Sequence, residues 1–234
     1  MADVALQPER APRWLAPLLT ALAEPEHATR VRTMLASRVP QRNGADEAAV
    51  LILFTGDPSA EQLPDDAAVL ITHRHPKMRS HSGQMAFPGG RIDPGDRGPV
   101  DAALREAYEE TALERDRVVP LAVMAPVTTG GSRRRVRPVV AYSASPGTVH
   151  PASEIETDDV FFVPVRELVD PVNRIQAGWK LWSGPAFWAR CYLIWGFTGA
   201  LLSVVLDAGG WAGEWDREPQ DLRKALARSC NDES

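Results

Sequence analysis

Three glutamates, Glu106, Glu109 and Glu110, stand together in a segment whose pattern predicts a helix over residues 98–113. At helical spacing Glu106 and Glu110 share a face, Glu109 lies one turn after Glu106, and Arg105 lies four residues before Glu109. Carboxylates this close repel one another unless a cation or an arginine compensates them. Hard oxygen donors at such density suit Mg²⁺ or Mn²⁺ better than zinc. Alone, an E-x-x-E-E face is more often a solvated surface than a site. The segment upstream tips the reading, because Phe87-Pro88-Gly89-Gly90-Arg91-Ile92-Asp93-Pro94-Gly95-Asp96 is a strand end followed by a glycine-rich turn. Main-chain groups there can approach phosphate oxygens or a metal without a Cβ in the way. Turn and helix together form a site for phosphoryl chemistry, in which cations neutralise a diphosphate and a carboxylate assists an attacking water. Arg74, Lys77 and Arg79 place permanent charge just ahead of this turn, as an anionic substrate wants, although a solvated loop has the same composition.

The elements that must position these residues are short. Residues 48–54 and 67–72 are apolar, β-branched runs joined by Gly56-Asp57-Pro58 and acidic residues, which predicts two buried strands. Further strands are predicted at 118–127, 136–142 and 159–163, with a weaker one at 189–195, and a second helix at 197–206. Pro99 suits the first turn of the 98–113 helix, and Asp101 complements its dipole. Leu15, Leu18, Leu19 and Leu22, then Val31, Met34 and Leu35, predict two N-terminal helices split at Glu24-Pro25-Glu26. Residues 211–234 are polar and read as a loosely held tail. Strands interspersed with helices indicate an α/β sandwich rather than a bundle.

With 234 residues, 44% of them hydrophobic and 24% charged, the chain suits one α/β domain. A formal net charge of -5 supplies no positive field to gather nucleic acid. No apolar run reaches the roughly 18 residues of a membrane span, and residues 1–13 do not resemble a signal peptide, so a cytoplasmic location and no membrane partner are the expectation. The two cysteines, Cys191 and Cys230, match neither a zinc ligand set nor a disulfide framework, and a part-buried thiol and a tail thiol are expected. Ser132-Arg133-Arg134-Arg135-Val136-Arg137 is a compact basic run in an acidic protein, either a solvated hairpin tip or an attractor of a substrate phosphate.

The run from Gly90 to Leu113 resembles the Nudix box, G-x5-E-x7-R-E-U-x-E-E-x-G-U, where U is aliphatic. Arg105-Glu106-Ala107-Tyr108-Glu109-Glu110 fills its centre. Asp96 stands where the first Glu is usual, eight rather than seven residues separate it from Arg105, and Ala112 replaces the usual Gly. That last departure suggests a helix end that needs no left-handed residue. The resemblance implies an α/β Nudix fold, a mixed β-sheet sandwiched between α-helices, and a pyrophosphohydrolase using Mg²⁺ or Mn²⁺. It implies that Glu106, Glu109 and Glu110 hold metal, with the Gly89 carbonyl a further ligand, and that Arg105 orients Glu109. The expected organisation is an N-terminal helical extension over 1–44, the Nudix domain over 45–208 and a tail over 209–234.

The flank from Leu70 to Gly90 is similar to the signature of the coenzyme A pyrophosphatase branch, L-L-T-K-R-S-x3-R-x3-G-x3-F-P-G-G. Leu70, Thr72, Arg74, Arg79, Gly83 and Phe87-Pro88-Gly89-Gly90 match, while Ile71, His73 and His75 depart, His73 replacing a lysine and weakening a charge contact. Arg74, Arg79, Gly89 and Gly90 are the substrate-binding residues this implies. Glu154-Ile155-Glu156-Thr157-Asp158-Asp159-Val160-Phe161-Phe162-Val163-Pro164 looks like the branch's E-V-x-E-V-F-x-V-P segment, which makes Glu156 a candidate base or metal ligand beside a surface-loop alternative. Ile194-Trp195-Gly196-Phe197-Thr198-Gly199 resembles its I-W-G-x-T-A stretch, with Trp195 read as packing. The expected substrate is a small nucleotide, coenzyme A or a derivative, cleaved to 4′-phosphopantetheine and adenosine 3′,5′-bisphosphate, with a homodimer as the partner arrangement left open. ADP-ribose, NADH or an oxidised nucleotide are the alternatives within the fold, and a nucleotide-sensing module that does not cleave is the alternative outside catalysis.

Overall fold

The structure, a computed structural model, describes residues 3–24, 47–78, 80–128, 134–153, 155–180 and 182–233. Its centre is strand β1 (Glu47–Thr55), whose run Ala-Ala-Val-Leu-Ile-Leu-Phe is apolar throughout because both faces of its sheet are covered. Successive side chains point to opposite sides. Ala49, Leu51 and Leu53 enter one core, Ile52 and Phe54 the other.

β1 runs parallel to β7 (Arg135–Tyr142), in register from Glu47 opposite Arg135 to Phe54 opposite Tyr142. Its start pairs antiparallel with β4 (Gly89–Arg91), and its end with β2 (Ala68–Arg74). β2 continues antiparallel to β8 (Thr157–Pro164) and to β3 (Met85–Ala86), while β5 (Val119–Val123) and β6 (Val127–Thr128) border β7. Helix α2 (Pro99–Thr111) covers the first face through Val100, Ala103, Leu104 and Ala107. The opposite face packs on Leu18 of α1 (Ala16–Ala23) and on Leu201, Leu202 and Val205 of α4 (Gly196–Ala208). A mixed sheet between helices is thus the architecture, as the sequence predicts. The second predicted N-terminal helix, carrying Val31, Met34 and Leu35, lies outside the described residues.

Four local expectations are corrected. The 118–127 strand is broken into β5 and β6 by residues 124–126. The 189–195 strand is two strands, because Arg190 takes a left-handed φ of 54° and turns the chain between β10 (Trp182–Ala189) and β11 (Tyr192–Ile194). Ala112 does adopt a left-handed conformation, φ 57°, at the end of α2, where its N–H bonds the Tyr108 carbonyl. The cysteines are joined as a Cys191–Cys230 disulfide, which ties the β10–β11 turn to residue 230.

Nor is the tail loose. β10 pairs with β9 (Arg174–Trp179), and β12 (Pro219–Asp221) adds in parallel to the other edge of β9, giving a second sheet of four strands among the described residues. Short helix α5 (Leu222–Leu226) buries Leu222 and Ala225 against Ile175, Ala177, Ala186 and Leu193. At the other end of the chain the Asp3 carboxylate accepts hydrogen bonds from the N–H groups of Val100 and Asp101, both 3.1 Å, satisfying two donors that the first turn of α2 cannot satisfy itself.

Candidate active site

β4 lies against the start of β1 with Gly90 opposite Ala49 and Gly89 opposite Val50. A methyl group on Gly89 would overlap the Ala49 carbonyl, and one on Gly90 would overlap the Glu106 carboxylate. Gly89 therefore lets β4 lie close against β1, and Gly90 lets Glu106 of α2 press directly onto the turn. Glu110 is only 4% exposed and accepts a hydrogen bond from the Gly89 N–H at 3.1 Å, while Arg74 Nη1 stands 3.8 Å from its other oxygen. Burial pushes the Glu110 carboxyl up to about 8, against the opposing pull of Arg74 and the Gly89 N–H. Burial also raises Glu106, whose neighbour Arg105 pulls it down and whose neighbours Glu109 and Glu156 add to the rise.

Arg105 ties this face together. Its Nε and Nη2 donate to the two oxygens of Asp96, each at 2.9 Å, and Nη1 donates to Glu106 and Glu109, each at 3.0 Å. Nη2 also reaches the Arg91 carbonyl at 3.0 Å. Expected to orient Glu109, Arg105 does bond it and in addition couples the turn and Glu106. Asp96 is the residue this expectation passed over: it matches the first acidic position of the box, and a tight turn with its N–H on the Asp93 carbonyl holds it towards the helix. The hydrogen bonds from Arg105 hold its carboxyl below the usual range.

The flank residues divide. Arg74 belongs to the cradle, and its buried Nε has no hydrogen-bond partner among the described residues while Nη2 contacts the Met78 sulfur. Arg79 lies outside the described residues, as does Arg133 of the basic run. Arg135 and Arg137 of that run are paired with Glu47 at the start of β1, Arg137 through two hydrogen bonds of 2.9 and 3.2 Å, so their charge is spent across adjacent strands. His73, read as a weakened charge contact, is 2% exposed and serves as a structural pin: Nδ1 meets Asp158, and Nε2 meets the carbonyls of Gly83 and Asn231 at 3.1 and 3.0 Å. Glu156 is exposed, its carbonyl accepts from the His75 N–H, and its charge is felt at both Glu106 and Glu110. Trp195 donates from Nε1 to Glu233 at 2.7 Å and meets Trp182 edge to face.

The donor set is that of a hard-cation site, clustered carboxylates whose proximity and burial work against their own ionisation. It is not a ready-made cage. Among the described residues no three His, Cys, Asp or Glu side chains are gathered around one point, since Arg105 draws Glu109 and one Glu106 oxygen to itself. Divalent charge arriving at Glu106 and Glu110 would offset the burial, and the lesser like-charge repulsion, that now raise both.

Residues 33–182 match the family model described as NUDIX domain. A probable nudix hydrolase of Schizosaccharomyces pombe is 30% identical over 147 residues, 61% of this chain but 50% of that protein, so the chain spans about half the length of this relative. The uncharacterized Nudix hydrolase NudL of Pectobacterium atrosepticum is 30% identical over 190 residues, 78% of this chain and 93% of the relative. Among solved structures, a Nudix hydrolase from M. Smegmatis, RenU, is 28% identical over 54% of this chain and 75% of that one, with a TM-score of 0.39.

Proposed function

The chain belongs to the NUDIX domain family, and from that premise we propose that it is a divalent-metal-dependent diphosphatase cleaving coenzyme A or a derivative into 4′-phosphopantetheine and adenosine 3′,5′-bisphosphate. One observation carries the reading of the site: a guanidinium with an unpartnered buried Nε, Arg74, stands 3.8 Å from a buried carboxylate, Glu110, that is itself bonded to the glycine turn. An anion-binding group and a cation-binding group are thus side by side, as diphosphate hydrolysis requires. The choice of coenzyme A rests on the flank that carries Arg74, through the similarity of Leu70, Thr72, Arg74, Arg79 and Gly83 to that branch.

Glu106, Glu109 and Glu110, with the Gly89 carbonyl, are the residues that would hold Mg²⁺ or Mn²⁺. Such an ion, when bound, neutralises diphosphate charge and lowers the pKa of an attacking water. Arg74 and Arg79 bind phosphate oxygens. Arg105 holds the carboxylates in place through Asp96. One of the carboxylates, or Glu156, takes the proton from water.

The test is a substrate panel of coenzyme A, ADP-ribose, NADH and 8-oxo-dGTP, offered to the purified protein with Mg²⁺ or Mn²⁺ and with a chelator. Coenzyme A should turn over, chelation should stop it, and Glu110→Gln should lower kcat by at least about 10²-fold, the scale of losing a group that stabilises the transition state. Turnover of ADP-ribose alone would overturn the coenzyme A assignment. Turnover of none of the four, with metal present, would overturn the hydrolase reading in favour of a nucleotide-sensing module.

A further inference from the structure

The loop between β2 and β3 begins at Arg74 and ends at Gln84, one residue before the strand that leads into the glycine turn. Its two ends are closed on each other, Arg74 N–H to the Gln84 carbonyl and Gly83 N–H to the Arg74 carbonyl, both 3.0 Å. What backs it is a segment about 150 residues later in the chain. Asn231 is fully buried and completes the edge of β11 with its side chain, accepting from the Leu193 N–H at 2.8 Å and donating to the Leu193 carbonyl at 2.9 Å. Its own carbonyl accepts from His73 Nε2. Gly83 takes a left-handed φ of 71° hard against it, where any side chain would overlap the carbonyls of Asn231 and Asp232. Glu233 completes the contact, holding Trp195 Nε1 and Asn231 Nδ2, each at 2.7 Å, and hydrogen-bonding the Gln84 side chain. A network satisfied this fully at both ends fixes the geometry of what it joins.

One covalent link anchors the segment. Cys230, the residue before Asn231, is bonded to Cys191 in the β10–β11 turn, with the Cys230 N–H on the Cys191 carbonyl at 2.9 Å. Both cysteines are exposed. Short helix α5 is the next anchor upstream, so releasing the disulfide leaves residues 230–233 without a covalent tie, held among the described residues by packing and by hydrogen bonds to Cys191, β11, Trp195, Ser229, His73 and the loop.

We propose that residues 231–233 are a positioning segment for the Arg74–Gln84 loop, and that the Cys191–Cys230 disulfide holds the segment in place so that reduction weakens substrate binding. A dithiol reductant supplies two electrons and two protons: the Cys191–Cys230 bond breaks to two thiols, and the reductant leaves as its own disulfide. The carboxylates of α2 lie outside the segment and meet the loop at Glu110 through Arg74, so binding changes more than the chemical step. The proposal rests on Arg74 meeting the substrate, and its test separates the two.

Coenzyme A with Mg²⁺ is the kinetic probe, or ADP-ribose with Mg²⁺ if the panel selects it. Oxidised protein, protein reduced with dithiothreitol and desalted anaerobically, the Cys191→Ser/Cys230→Ser variant and Asn231→Ala are compared, with amide hydrogen exchange at Gly83 and Gln84 as a second readout. Reduction and both variants should raise KM about fivefold with kcat held within about twofold, the pattern of lost ground-state binding. They should also speed exchange at Gly83 and Gln84, and reoxidation should restore both values. Arg74→Ala should raise KM in either redox state. If Arg74→Ala leaves KM unchanged, the substrate-site reading fails. If Arg74→Ala raises KM while reduction alters neither KM nor exchange, the positioning segment fails and the site reading stands. Should the cysteine variant not fold, the dithiothreitol arm on the unaltered chain decides alone.

Discussion

Arg105 and Asp96 form a two-pronged ion pair, both hydrogen bonds 2.9 Å long, that fastens the glycine turn to the acidic helix. The planar guanidinium matches the carboxylate fork and still has Nη1 free for Glu106 and Glu109.

Asp96→Ala should therefore impair the site without removing a carboxylate from α2. Loss of a charge-assisted pair of this kind costs about 1.5–3 kcal/mol, or roughly ten- to a hundredfold in kcat/KM if it is felt in the transition state. Arg105→Lys should lose nearly as much, because an ammonium cannot bridge Asp96 and Glu109 with fixed geometry. Steady-state kinetics on the two variants decides this, and a lysine variant with full activity would show that charge alone suffices.

Ala112 closes α2 at φ 57°, a conformation that costs an L-residue with a Cβ about 1 kcal/mol and glycine nothing. Ala112→Gly should raise stability by about 0.5–1 kcal/mol, which for a chain of this size is a Tm increase of roughly 1–4 °C. Thermal unfolding of the variant measures it, and a lower Tm would mean that the helix end relaxes differently.

Asp101 gives a pH signature. Hydrogen bonds from Arg97, joined by Arg115, hold its carboxyl well below the usual range despite its burial. A depressed folded-state value means the stabilisation is complete above the unfolded-state pKa, about 4, and is lost as pH falls through the folded-state value. Both arginines are 41% exposed, so screening limits the contribution to about 1 kcal/mol. Asp101→Asn should be less stable by that amount at pH 7 in denaturant titrations, with the gap narrowing below about pH 4. A gap independent of pH would point to packing instead.

The acidic helix was legible because its signals are local. Helical period, Pro99 at the start and three glutamates at fixed offsets all act within a few residues, and β1, β2 and β7 announced themselves as buried apolar runs for the same reason. The role of Arg105 was legible only in part, since i,i+4 spacing shows Glu109 but a turn nine residues away supplies Asp96.

The second sheet shows what lies beyond such reading. β9 and β12 are brief and mixed in character, so no periodicity marks them, and β12 reaches β9 only across a long stretch of chain. Two cysteines 39 residues apart carry no sign of pairing until β10 and β11 turn back at Arg190 and α5 returns the chain to them. His73 and Asn231, separated by 158 positions, are ordinary polar residues in sequence and a buried contact in space. The sequence by itself determined the chemistry available, three carboxylates, a glycine turn and the arginines beside it, because short-range spacing specifies which groups share a helix face. Only the tertiary structure decided how rigidly the loop ahead of that chemistry is held, because long-range contacts depend on the fold closing first.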